Sequence, residues 1–175
     1  MRTLHAQFDA DLALNPPLSS QDLDAALAAF GVEVPLWLSD LWLEADGGPA
    51  YAAVFTRPGF FTGLDFLSLE QSLALRASLN ALSPQFEGWE EPDPRDNRIA
   101  SDWFPLGWLP FAAFGGSSIV FFAVCAPGPH GHVGQVSAYV HDPDQITFVA
   151  ADGETYLGAS LEWFRAEVEE FVAEE

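Results

Sequence analysis

The side chains able to do chemistry are few and scattered. His130 and His132 form a His-x-His pair in a Pro/Gly-rich turn, a spacing with which a metal site can begin, but His5 and His141 are the only other imidazoles. A closed site needs a second ligand cluster, so the pair is read as a solvated turn and no metal is expected. Asp142 and Asp144 look like half a calcium loop, yet Pro143 intervenes and no glycine and glutamate follow in register; a turn is the better reading. Gly115-Gly116-Ser117-Ser118 could form an anion-binding nest or an oxyanion site. With no lysine nearby and a β-rich run behind it, a tight turn into a buried strand is expected instead. Cys125 would need a base and an electropositive setting to act as a nucleophile, and between Val124 and Ala126 it reads as an inert, buried thiol. Glu90 and Glu91 could serve as acid and base, but they share a polar loop with many other carboxylates. The chain has no lysine at all, which excludes a P-loop lysine and a pyridoxal Schiff base. The expectation is a protein without catalytic residues or cofactor.

What the charged residues can do collectively is bind. Twenty-six acids face six basic residues, all arginine, for a formal charge of −20. That balance opposes nucleic acid and anionic membrane, whose affinity depends on Lys and Arg. It suits a basic protein partner drawn in by long-range attraction, or simple solubility. The carboxylates gather in groups: Glu44 and Asp46 at a helix end, Glu87, Glu90, Glu91, Asp93 and Asp96 in one loop, Asp142 and Asp144 in a turn. Trp89 lies within the acidic loop, and its exposure would make that loop a protein-binding surface.

The elements that must carry these groups are delimited by turn residues. Residues 1–18 read as an arm closed by Asn15-Pro16-Pro17, and 19–175 as one domain, a size that buries a core without staples. Ser19-Ser20-Gln21-Asp22 starts a helix with Leu23, Leu27 and Phe30 on one face and Gly31 as its stop. A second helix over 35–46 begins at Pro35, carries Leu38, Leu41 and Trp42, and ends at Gly47-Gly48. Tyr51 to Phe55 reads as a strand, Arg57-Pro58-Gly59 as a turn, and Leu69 to Leu82 as a helix stopped by Ser83-Pro84. Residues 87–98 are an irregular polar loop. Strands follow at about 118–126, 133–140 and 146–150, joined by turns that favour antiparallel hairpins. Asp152-Gly153-Glu154 turns the chain into a last helix from about Ser160 to Val172, with Leu161, Phe164, Val168, Phe171 and Val172 as its apolar stripe. The order predicts an α+β domain with helices packed on an antiparallel-rich sheet and a C-terminal helix closing it.

Leu106 to Ala126 is long enough to cross a bilayer, but Pro110, Gly115-Gly116 and Ser117-Ser118 break it, and Ile119 to Val124 is strand-like. A single cysteine and an N-terminus in which Asp9 and Asp11 interrupt any apolar signal core lead to a cytoplasmic expectation.

Taken in order, these elements resemble the SMI1/KNR4 (SUKH) superfamily. Pro35, Leu41-Trp42 and Asp46-Gly47-Gly48 are similar to its opening helix and turn, and Phe66-Leu67-Ser68-Leu69-Glu70 to its short strand before a helix. Trp103-Phe104-Pro105-Leu106-Gly107 with Phe114-Gly115-Gly116-Ser117 resembles its tryptophan-proline element and glycine turn. Gly134-Gln135-Val136, Tyr139 and Ala159-Ser160-Leu161-Glu162-Trp163-Phe164 resemble its later strand and closing helix. The likeness runs over roughly 20–172, with Asp46 where the family often has asparagine, Leu161 where it often has phenylalanine, and a long 83–102 insert. It implies a non-catalytic binding domain: an immunity protein neutralising a toxin, often a nuclease, or a regulatory or scaffolding protein of the cell-wall type.

Overall fold

The computed structural model describes residues 13–28, 30–31, 33–56 and 63–166. The turn expected at 57–59, most of the arm and the helix residues beyond Ala166 lie outside them.

Three of the four helices among the described residues start at a side-chain cap, and the other follows a proline. Helix α1 (Ser20–Ala28) is opened by the Ser19 hydroxyl, which accepts from the Asp22 backbone N–H at 3.1 Å. Helix α2 (Leu36–Glu44) starts after Pro35 and inserts Leu38 and Trp42 fully into the core. After strand β1 (Asp65–Phe66), helix α3 (Leu69–Leu82) carries a reciprocal capping box between Ser68 and Gln71 and runs into a single 3-10 turn, Ser83–Phe86.

Strands β2 (Trp108–Phe114), β3 (Ile119–Val124), β4 (Val136–Val140) and β5 (Gln145–Ala150) complete a sheet of order β1-β2-β3-β4-β5, antiparallel throughout. Helix α4 (Gly153–Ala166) follows. The molecule is an α+β fold, as expected.

The charge-free centre of the sequence is explained by β3. Val120, Phe122 and Val124 face one apolar cluster while Phe121, Ala123 and the adjoining Cys125 face the other. Both faces of the strand are buried, so alternation gives way to a continuous apolar run. The first cluster is roofed mainly by α1, α2 and α4, with Leu69 at the start of α3 and Val54, Phe55 and Leu64; the second by Leu79 of α3 and by Phe86, Ile99, Trp103 and Phe104 from irregular chain.

Three expectations need correction. The Leu106 to Ala126 stretch contains a strand, β2, where none was expected before residue 118. Pro110 argues against a central strand, but β1 pairs only with Ala112 and Ala113, and the Pro110 carbonyl accepts instead from the Ser72 hydroxyl of α3. The proline therefore forfeits no ladder bond, and the register shifts beside it between Pro110 and Ala112. Tyr51 to Phe55 is not a strand. Tyr51 and Ala53 have φ of 64° and 49°, and only Phe55 pairs, with Leu64, as an isolated bridge. The last helix starts at Gly153 and not near Ser160, because Asp152 caps it by accepting from the Thr155 N–H at 2.7 Å. No helix among the described residues is long and apolar enough to cross a membrane.

Candidate protein-binding surface

The acidic loop of residues 87–98 has no regular structure, so side chains must hold it. Phe86 stacks on Trp103 at 4.3 Å between ring centroids. Glu91 and Arg95 form an ion pair of 2.6 Å, with side chains only 8% and 11% exposed. The second Glu91 oxygen accepts from the Ile146 N–H of β5 at 2.7 Å. Arg95 also donates to the carbonyls of Ala100, Ser101 and Asp102 and lies over the Trp103 ring at 4.6 Å. Asp93 and the Gln145 side chain exchange two hydrogen bonds. The loop thus lies along the outer edge of β5 and satisfies the Ile146 N–H that an open edge would expose.

This arrangement divides the acidic residues. Glu87, Glu90 and Asp93 are exposed, and Trp89 between them keeps 49% of its surface in solvent. Glu91 is held inside. Asp96 accepts from the Arg98 backbone and guanidinium, which hold its carboxyl down at about 2. Asp46 is spent on the fold as well, accepting from the Leu69 N–H at 2.8 Å where α3 begins. Glu44 is exposed in the last turn of α2. Asp142 is exposed, while Asp144 accepts from the Tyr139 hydroxyl in the β4–β5 turn.

The arginines do little to offset this surface. Arg76 lies over Phe30 and donates to the Leu106 carbonyl, Arg95 is buried in its clamp, and Arg98 pairs with Asp96 above the Phe148 ring. Arg165 is the one exposed arginine among the described residues.

The residues behind the family resemblance are architectural in position. Trp42 is fully buried and its Nε1–H donates to the Leu67 carbonyl. Gly47 has φ of 79°, and a Cβ there would sit 2.4 Å from the Ser68 nitrogen, so no larger residue fits. Gly48 donates to Phe66, while Pro35 and Trp103 are buried and Pro105 accepts from Trp108. Gly115 and Gly116, both with positive φ, make the turn of the β2–β3 hairpin. Trp163 is half-buried on α4, its Nε1–H without a partner among the described residues.

The remaining chemical candidates are not assembled. His132 contacts the Ala151 carbonyl through Nε2, whereas the His130 backbone bonds to Asn97. No group of three or more His, Cys, Asp or Glu among the described residues is placed to hold a metal ion. Burial pushes the Cys125 thiol up to about 12, which leaves it protonated and unreactive at neutral pH. Sequence reasoning missed the Glu91–Arg95 clamp. Its i,i+4 spacing was visible, but its anchor on Ile146 lies 55 residues away.

Among protein-family models, that of the SMI1/KNR4 family (SUKH-1) matches residues 17–159. No curated protein matches the chain.

Proposed function

Since this chain belongs to the SMI1/KNR4 family (SUKH-1), we propose that it is a non-catalytic domain that binds and neutralises a basic protein, in the manner of an immunity protein against a toxin. The observation that carries this reading is the uncompensated acidic surface. Three of the four described arginines are engaged within the fold, whereas Glu87, Glu90 and Asp93 are exposed and flank the half-exposed Trp89 in sequence. A nuclease groove is basic because it holds phosphate, so an acidic protein can occupy it and associate quickly. Trp89 supplies the aromatic anchor that such interfaces favour.

Capture of a partner from the source cell's lysate, eluted by rising salt, tests the reading. A basic protein released at moderate salt, and inhibited in its own activity by this chain, supports it. Failure to retain any basic protein at low salt contradicts it.

A further inference from the structure

Between α2 and α4 lies an apolar cavity of about 460 Å³, floored by Phe55 and Phe66 and walled by Leu41, Leu157, Leu161 and Phe164. Among the described residues that line it, Glu44 is the only charged one. Its carboxylate bonds to no described residue, and it stands in the last turn of α2, where the helix dipole disfavours an acid. Helix stability does not account for it. Gly158 on the opposite wall is equally out of place. Glycine inside a helix is unfavourable, yet a Cβ there would meet no described atom within 4 Å. Packing among the described residues does not require this glycine, which lines the cavity.

We propose that this cavity receives an apolar anchor residue of the protein partner, with a neighbouring lysine or arginine of that partner on Glu44. The inference rests on the reading of the chain as a binder of a basic protein and adds to the acidic loop a second place where that partner is gripped. Shape and charge act together: apolar walls take the anchor, and the single carboxylate at the rim selects a cation beside it.

The probes are acetyl-Phe-Arg-amide, acetyl-Phe-Glu-amide and acetyl-Gly-Arg-amide, titrated into the full chain and read from the methyl resonances of Leu41, Leu157 and Leu161. The Phe-Arg peptide shifts these methyls saturably, and the Phe-Glu peptide binds about fivefold more weakly, the worth of one exposed ion pair. Glu44→Gln removes that preference, and Gly158→Phe, which fills the mouth, abolishes binding while circular dichroism and melting stay unchanged. Equal shifts from the Gly-Arg peptide, no shift from any peptide, or Overhauser contacts from the methyls to residues 1–12, 57–62 or 167–175 would overturn the proposal. A basic partner that binds the Gly158→Phe variant as tightly as the wild type sinks the cavity assignment alone. Absence of any basic partner sinks the functional reading beneath it.

Discussion

One face of the sheet is covered by α1, α2 and α4, the other by Leu79 of α3 and the irregular chain between Phe86 and Phe104. Both coverings bury aromatic side chains to a few per cent exposure, Trp42 and Phe111 on the first and Phe104 and Trp108 on the second. The helical face achieves this by periodicity, with backbone polar groups satisfied inside each helix. The irregular face has no such internal ladder, so polar side chains do the same work: Arg95 satisfies three carbonyls, Asn80 the Phe104 carbonyl, and Glu91 the edge N–H of Ile146. Charged residues hold irregular backbone on both sides, but the buried ion pair, Glu91 with Arg95, belongs to the irregular side, whereas Asp46 and Asp65 each bond a single backbone N–H on the other.

The largest perturbations should strike both faces equally, by different mechanisms. Trp42→Ala should cost about 3–5 kcal/mol through its cavity. Arg95→Ala should cost about 3 kcal/mol by leaving Glu91 buried without its partner. Urea unfolding measures both. A loss below about 1 kcal/mol for Arg95→Ala would break the comparison, since the irregular face would then stand on apolar packing alone.

A smaller effect sharpens the helical side. A Cβ at Gly153 would lie 2.0 Å from the Trp37 ring, so Gly153→Ala should lower stability by about 1–3 kcal/mol through overpacking. Thermal melts check this, and a neutral result would mean that α4 shifts freely against α2.

Glu90 and Glu91 compare the two kinds of carboxylate directly. Glu91→Gln weakens a buried charge-assisted bond and should cost about 1–3 kcal/mol, whereas Glu90→Gln should stay within about 0.5 kcal/mol. Smallest of all is Asp96. Its folded pKa lies below the ordinary value because Arg98 hydrogen-bonds its carboxylate, so its contribution is present above about pH 4 and disappears as pH falls through about 2. Asp96→Asn should therefore lower the urea midpoint slightly at pH 5, and the difference should shrink as pH falls toward 2.

Much of the helical face was legible in the sequence. Ser19, Pro35 and Ser83-Pro84 mark boundaries found in the structure, and Leu38 and Trp42 stand four apart in α2 because one stripe must be buried. Strand β2 was not legible, because what excuses Pro110 is that β1, far away in sequence, pairs only with Ala112 and Ala113 and asks no N–H of it. The start of α4 was misread because Asp152-Gly153 is both a turn signal and a helix cap, and only the Thr155 bond decides between them. For the candidate surface, the acidic loop and Trp89 stood out by composition. Which carboxylates face outward did not, because that depends on Arg95, Ile146 and Leu69, partners near and far along the chain.

The central claim is that the outward carboxylates recognise a basic protein while the inward ones hold the fold. The direct test is stopped-flow association of the captured basic partner with wild type and with the Glu87→Gln, Glu90→Gln, Asp93→Asn triple variant, at low and high salt. The account predicts association slowed about tenfold at low salt, converging at high salt, with the melting temperature unchanged. An unchanged low-salt rate would contradict it and leave the acidity of this surface to solubility.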